Sequence, residues 1–157
     1  MQAKLRLSRG RAAAQWAATA AESYAQMRRR VIAQLVAQIP AAQRVSVGVG
    51  PANLHFYWWE PDDKRDADNV AAGKKFVLDA LVVAKLLPND TRRCVLGFRD
   101  EVRVAPVGGA VGVVVEIWMG GRLLPGELFF SGQLPGANEI RQAIEIGVRR
   151  SLRKGGE

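Results

Sequence analysis

The centre of the chain carries the mostly apolar run Phe76-Val77-Leu78-Asp79-Ala80-Leu81-Val82-Val83-Ala84-Lys85-Leu86-Leu87, followed by Pro88. Because proline cannot continue a helix, we predict a helix that ends before Pro88. Asp79 and Lys85 are its only charged positions, so this helix must be buried on most sides. A second subunit is one way to bury it, since a two-fold interface hides apolar surface that a small monomer exposes.

Alternating residues on both sides of this helix predict strands. Residues 45–49 and 54–59 alternate with a period of two, and the break between them predicts a hairpin. Residues 94–98 and 111–119 read as two further strands, and Leu128–Ser131 as a short one. The pattern favours an α/β (α+β) fold, in which a small mixed sheet of about four or five strands packs with helices.

Two more helices are predicted near the ends of the chain. Apolar residues recur at helical spacing over about residues 11–39, where Pro40 stops them. A turn at residues 134–138 precedes a helix with an apolar stripe of Ile140, Ile144, Val148 and Leu152. With 157 residues, 48% of them hydrophobic, the chain suits one domain over residues 1–157, with basic tails at about 1–10 and 152–157.

The charge indicates the class of partner. The formal net charge is +8, and the basic residues lie in clusters such as 28–30 and 149–154 that can neutralise phosphates. An anionic membrane surface is the competing partner, but no apolar run approaches the roughly 20 residues that span a bilayer. The single cysteine, Cys94, cannot form an internal disulfide. We therefore expect a cytoplasmic nucleic-acid-binding protein without membrane contact.

The carboxylates that flank the central helix predict a metal site. The stretch Arg65-Asp66-Ala67-Asp68-Asn69 precedes it, and Asn89-Asp90 follows it. Aspartates at i and i+2 project to the same side of an extended segment, so Asp66 and Asp68 can grip one ion together. Carboxylate oxygens suit Mg²⁺, with Mn²⁺ as a substitute, and a water of the ion is a natural nucleophile. The alternative is a surface turn whose Asp and Asn side chains satisfy their own backbone.

Basic residues near these carboxylates are candidates for phosphate contacts. An ammonium from Lys75, or from Lys74, would stabilise the charge that grows at a scissile phosphate. Candidate DNA contacts are Lys64, Arg65, Lys74, Arg28, Arg29, Arg30 and the aromatic Trp59. A charged helix face is otherwise merely solvated.

Helix length limits how Asp90 can join Asp66 and Asp68. A helix over residues 75–87 is roughly 18 Å long at 1.5 Å per residue, whereas the ligands of one ion lie within a few ångströms of each other. Either the loop after the helix folds back, or a partner subunit supplies Asp90. The residues leave both routes open.

Over about residues 45–117 the sequence resembles the RusA-type crossover-junction endodeoxyribonucleases, homodimeric Mg²⁺-dependent Holliday-junction resolvases that prophages often carry. The shared pattern is a strand, Arg-Asp-x-Asp-Asn, a lysine, an Asp-Ala-Leu helix, an acidic residue and a valine-rich strand ending in Glu-Ile. The resemblance implies that Asp66, Asp68 and Asp90 bind the metal and that Lys75 is the catalytic lysine. In the best-known members the lysine follows the asparagine more closely, whereas here residues 70–74 intervene.

The ends of the chain depart from the family order. Tyr24-Ala25-Gln26-Met27-Arg28 stands near the start, and Leu134-Pro135-Gly136-Ala137-Asn138-Glu139 near the end, which is the reverse of the family. We hypothesise a circular permutation, which neighbouring termini make tolerable. It requires Leu128–Ser131 to lie in the main sheet.

The resemblance implies a metal-dependent, structure-selective endodeoxyribonuclease that resolves four-way (Holliday) DNA junctions in recombination and repair. One alternative is a protein that binds branched or duplex DNA by charge and shape without cutting it. A hydrolase of small phosphoesters fits the carboxylates but gives the basic helices no purpose.

Overall fold

The computed structural model describes residues 22–44, 51–123 and 126–156. Along the chain, its elements are α1 (Tyr24–Ala37), a 3-10 turn (Ala41–Gln43), β1 (Ala52–Glu60), α2 (Ala67–Ala71), α3 (Lys74–Val83), β2 (Val95–Val104), β3 (Gly112–Met119), β4 (Arg122–Leu123), β5 (Leu128–Ser131) and α4 (Ala137–Lys154). They confirm the mixed α/β prediction, with strand order β2-β1-β3-β4 and β5 also paired to β3. Strands β1 and β2 run parallel, and the other pairs are antiparallel.

The alternation in β1 divides the sheet into two faces. Leu54, Phe56 and Trp58 are buried in one core with residues of α1, α3 and α4. We call this side the inner face. His55, Tyr57 and Trp59 point to the opposite side, the outer face, and are only partly buried. Because side chains alternate along a strand, one set of β1 residues packs in the core and the other set lies on a partly solvent-exposed surface.

The apolar helix is shorter than predicted and is covered within one chain. Helix α3 ends at Val83, and the backbone turns at Lys85, whose φ is 63°. The N–H of Leu86 then donates to the carbonyl of Leu81 at 2.9 Å. All residues from Phe76 to Leu81 are buried in the single chain. The helix therefore supplies no argument for a dimer, contrary to our interpretation of the sequence.

The terminal helices agree with the sequence in part. Helix α1 begins after Ser23, whose side chain caps the Gln26 N–H, and residues 11–21 of the predicted helix lie outside the described residues. The predicted strand at residues 45–49 lies outside them as well. In α4, Ala143 is buried, whereas Ile144, Val148 and Leu152 are 47%, 54% and 73% exposed. The predicted apolar stripe is therefore not a core stripe.

Two further observations bear on the sequence predictions. Strand β2 continues to Val104, six residues beyond the predicted end at Phe98. Strand β5 pairs antiparallel with β3 from Leu128 to Ser131, so it satisfies the condition that the permutation hypothesis set. Within the described part of the chain, every helix is too short or too polar to cross a membrane.

Candidate functional site

The paired aspartates lie at the start of α2, shortly after β1 ends. Asp66 occupies the N-cap position in an extended conformation, with φ −64° and ψ 156°, and Asp68 lies in the first turn. The Asp66 side chain makes no capping hydrogen bond, and both aspartates are exposed. The Asp66 carboxylate therefore does not cap the backbone of its own turn, whereas the surface-turn alternative required such a hydrogen bond. Both carboxylates are exposed, but Asp68 lies in a helical turn and not in the extended segment that we predicted, so the i, i+2 spacing does not by itself place them on one side.

A buried ion pair anchors the segment just before these aspartates. Arg65 forks onto Glu60, with Nε 3.2 Å from Oε2, and its Nη1 donates to the Leu134 carbonyl at 2.9 Å. The Gln133 amide donates to Glu60 Oε2 at 2.7 Å. The side chains of Arg65 and Glu60 are only 13% and 6% exposed. The guanidinium is thus engaged within the fold and little exposed, and the DNA contact of Arg65 stays a prediction.

The predicted turn at residues 134–138 packs against the aspartate segment. A Cβ at Gly136 would lie 2.3 Å from Asn69 Oδ1 and 2.8 Å from Arg65 Nη1, so this close approach needs glycine. Asn69 Oδ1 also accepts a hydrogen bond from the Asn138 N–H at 3.4 Å. The contact between these two segments was not predicted from the sequence. The turn residues and Asn69 were the available signals, but nothing in the sequence pairs them.

Lys75 lies at the centre of a charged cluster at the start of α3. Its Nζ contacts the Asp90 carboxylate and lies 3.0 Å from Asp79 Oδ1. Arg28 Nε donates to the other oxygen of Asp79 at 3.1 Å, which gives that buried carboxylate two cationic partners. The early end of α3 therefore lets the following loop fold back and bring Asp90 to the first helical turn. The loop thus folds back within one chain, as the first of the two routes requires, but it brings Asp90 to Lys75 and not to Asp66 and Asp68.

The contact between Lys75 and Asp90 shifts both pKa values. The hydrogen bond from Lys75 lowers the pKa of Asp90, and burial opposes this only in part. The hydrogen bond to Asp90 raises the pKa of Lys75, and Asp79 adds to the effect. Lys75 is therefore an ammonium at neutral pH and cannot act as a general base there. Its available role is electrostatic.

Lys74 has a different partner, which the sequence analysis missed. Its Nζ bonds to Asp100 Oδ2 and lies 4.6 Å from the centre of the Phe98 ring. The indole N–H of Trp58 donates to the other Asp100 oxygen at 2.9 Å. Asp100 stands on the inner face because the sheet register pairs it with Phe56. Lys74 is thus tied to the sheet, and Lys75 is the lysine that meets a predicted metal ligand.

The predicted ligands Asp66, Asp68 and Asp90 do not assemble into one cluster. Across residues 22–44, 51–123 and 126–156, no three His, Cys, Asp or Glu side chains are grouped closely enough to hold a metal ion. Asp66 and Asp68 are exposed at the start of α2, whereas the Asp90 carboxylate contacts Lys75. The three-carboxylate metal site therefore stays a prediction.

The remaining candidate DNA contacts have varied environments. Arg28 pairs with Asp79, and Arg30 pairs with Glu22 at 2.9 Å, so both guanidinium groups have carboxylate partners. Arg29 is exposed, and the Lys64 side chain is 84% exposed. Trp59 lies on the outer face under the Arg103 guanidinium, 5.8 Å from the ring centre. Arg29 and Lys64 are the most accessible of the predicted phosphate contacts.

Comparisons with protein-family models, with curated proteins and with solved structures found no significant match to this chain.

Proposed function

We propose that the protein is a metal-dependent, structure-selective endodeoxyribonuclease of the RusA-like type that resolves four-way DNA junctions. The observation that carries the proposal is the arrangement around the start of α3. Two exposed aspartates lie just before the helix, and a charged lysine in its first turn contacts the aspartate that follows it. These are residue types that metal-assisted phosphodiester hydrolysis uses, and they flank the same end of α3.

The carboxylates on α2 suit a magnesium ion that substrate completes. Mg²⁺ usually takes one or two protein carboxylates together with waters and substrate phosphates. Asp66 and Asp68 are exposed and have the right donor atoms, so they would hold the ion, with Mn²⁺ as a substitute. When bound, the ion would activate water and offset phosphate charge. Asp90 would join them on exchanging its contact with Lys75.

The chain's own residues would position and stabilise the reacting phosphate. The ammonium of Lys75, which Asp79 would still hold after Asp90 exchanges its contact, would offset the negative charge that develops there. The buried pair of Arg65 and Glu60 fixes the backbone that leads into Asp66. Gly136 and Asn69 support the same segment from the other side. These contacts hold the segment that carries the aspartates, so less conformational entropy would be lost when a metal ion binds.

The basic surface supports a DNA substrate. The net charge of +8 favours a polyanion, and Arg29 and Lys64 are accessible for phosphate contacts. A homodimer belongs to the proposal, because two symmetric sites match the opposing strands of a four-way junction. Such a dimer would use a surface other than the buried face of α3. We further propose a cytoplasmic protein acting in recombination and repair, in keeping with the prophage-borne members it resembles.

One observation favours a second candidate, a protein that binds branched DNA without cutting it. The described residues contain no ready cluster of three metal-binding side chains, and Asp90 is engaged by Lys75. A protein with this arrangement keeps its basic surface, so charge and shape recognition need no metal. The two candidates differ in whether magnesium supports cleavage.

Cleavage of a synthetic four-way junction tests the proposal. We expect paired nicks across the junction with Mg²⁺, none with EDTA, and much slower cleavage of linear duplex of the same sequence. Asp68→Asn should lower the cleavage rate at least about 100-fold, because loss of a charged ligand removes much of the metal affinity. Asp63→Asn changes an exposed carboxylate in the preceding loop and should leave the rate within about twofold.

Tight junction binding without cleavage in either Mg²⁺ or Mn²⁺ would overturn the endonuclease proposal in favour of the binding protein. Equal loss in Asp68→Asn and Asp63→Asn would show that the carboxylates do not act as metal ligands.

A further inference from the structure

The outer face of the sheet carries an aromatic surface that the proposed cleavage chemistry does not use. Strand β1 contributes His55, Tyr57 and Trp59, and the register places Glu116 of β3 opposite His55. Trp118 lies one step further along the same face, with its ring centre 6.1 Å from that of His55. Partly buried aromatic rings on a sheet surface are suited to stacking with flat ligands.

One end of this face contains a cavity of about 380 Å³. Its walls include the rings of Trp118 and His55, and Asn53 and Arg99 also line it. This volume lies within the range of roughly 300 to 1,000 Å³ that is usual for small-ligand sites. The cavity is open to solvent and combines the aromatic rings of Trp118 and His55 with the polar groups of Asn53 and Arg99.

Glycines create the space. Gly97, Gly120 and Gly121 line the cavity, and a Cβ atom at either Gly120 or Gly121 would have no neighbouring atom within 4 Å. Gly120 and Gly121 have φ values of 57° and 78°, which the tight turn between β3 and β4 requires. Gly97 is paired with Asn53, so a side chain there would project from the outer face. The opening is thus a consequence of missing side chains.

The Trp118 ring is held in a fixed orientation. Its indole N–H donates to Glu116 Oε2 at 2.7 Å, and the Glu116 side chain is only 12% exposed. Burial, together with the negative charge of Glu116, raises the pKa of Tyr57, so its hydroxyl stays protonated at neutral pH. Because the hydrogen bond to Glu116 already fixes the indole, a ligand that stacks on the ring would immobilise no further side chain.

The charges at the cavity suit an anionic ligand with a polar flat ring. The Arg99 side chain is 64% exposed and stands at the rim. Glu101 is bridged to Arg99 at 3.1 Å and to Arg103 at 2.7 Å, so two arginines flank one carboxylate. Glu116 is the other carboxylate here. It accepts a hydrogen bond from the Trp118 indole, and its Oε2 lies 3.7 Å from His55 Nδ1. The exposed Asn53 amide offers both a donor and an acceptor.

We infer that this cavity binds one unpaired nucleotide of single-stranded DNA, with the base stacked on Trp118, its edge near Asn53 and a phosphate near Arg99. The inference rests on the proposed DNA substrate but not on metal chemistry. Asn53 and Trp59 are six residue steps apart along β1, a rise of roughly 20 Å, and Asp66 follows beyond that strand. A nucleotide in the cavity would therefore lie several nucleotides along the DNA strand from a phosphate bound near Asp66 and Asp68.

Binding of fluorescent oligothymidylate, measured by anisotropy in EDTA, tests the cavity without cleavage. The comparison ligand is an abasic oligomer of equal length, which has the same phosphates and no bases. We expect wild-type protein to bind oligothymidylate at least about tenfold more tightly than the abasic oligomer. Trp118→Ala should weaken oligothymidylate binding roughly 5- to 150-fold, the usual effect of removing a stacking ring, and leave abasic binding unchanged.

Two further variants separate the cavity from the rest of the face. Gly97→Val should fill the opening and cause a similar loss, since a β-branched residue suits a strand and projects away from the core. Phe129→Ala is the matched control, because Phe129 is 43% exposed on the same face but does not line the cavity. It should change binding less than about twofold.

Unchanged binding in Trp118→Ala, or equal losses in Trp118→Ala and Phe129→Ala, would overturn the inference. Junction cleavage is scored separately with Mg²⁺. Wild-type protein that binds oligothymidylate through Trp118 but never cuts would remove the endonuclease proposal and leave the nucleotide site standing.

Discussion

The two faces of the sheet differ in what their side chains can do, although the same strands build both. On the inner face, Phe56 is fully buried and Trp58 is 2% exposed. On the outer face, Tyr57 and Trp59 are only partly buried, and charged residues stand between the rings. Burial of the inner-face side chains therefore stabilises the fold. The outer-face side chains remain accessible to a ligand, and replacing them should destabilise the fold less.

The largest contrast should appear when neighbouring aromatic residues of β1 are truncated. Phe56→Ala removes a ring that is 0% exposed, and we expect it to lower the free energy of unfolding by about 4 kcal/mol, from lost burial and the cavity left behind. Tyr57→Ala should cost less than half as much. Urea denaturation followed by circular dichroism measures both. Equal losses would show that the outer face is packed as tightly as the core.

The second contrast concerns arginine ion pairs. Arg65→Ala leaves Glu60 buried without its cation, and we expect a loss of about 3 kcal/mol in the free energy of unfolding. Arg103→Ala on the outer face breaks a pair whose arginine side chain is 59% exposed, and should cost about 0.5 kcal/mol. The same denaturation experiment compares them. A small effect of Arg65→Ala would mean that Glu60 finds other partners.

The smallest effect should be the pH-dependent pairing of Lys75 and Asp90. Because Lys75 lowers the pKa of Asp90, the pair stabilises the fold above the ordinary aspartate value of 3.8, and this is lost as the pH falls through the lowered pKa. Lys75 stays charged throughout, because its own pKa is raised. Both side chains are partly exposed, so Asp90→Asn should cost about 1 kcal/mol or less near neutral pH.

Urea denaturation of wild type and Asp90→Asn, near neutral pH and again well below pH 3.8, checks this expectation. The difference in stability should shrink in acid. Asp63→Asn is the control, because Asp63 is exposed and should give no difference at either pH. A difference for Asp90→Asn that persists in acid would mean that packing, and not charge, stabilises this contact.

Local patterns predicted much of the fold because backbone geometry produces them directly. The period of two in residues 54–59 identified β1 and its buried side chains, and the apolar run after Lys75 identified α3. The end of α3 was predicted at Leu87 and lies at Val83. Leu86 and Leu87 are buried in the loop that follows, so their apolar character extended the predicted helix. Apolar character alone does not distinguish a buried helix from a buried turn.

Periodicity predicted α4 correctly but not the environment of its apolar stripe. Ile144, Val148 and Leu152 recur at helical spacing, yet they are exposed. A periodic pattern shows that residues share one side of a helix, but it does not show what lies against that side. Only the position of α4 relative to the sheet decides this.

The sequence alone determined the strand alternation, the central helix and the charged residue types on either side of it, because each follows from spacing along the chain. Only the tertiary structure decided which charges meet. It paired Lys75 with Asp90, Lys74 with Asp100 and Arg65 with Glu60, and it set Gly136 against Asn69. These contacts depend on where the chain returns in space, and many residue pairs of suitable charge compete for them in sequence.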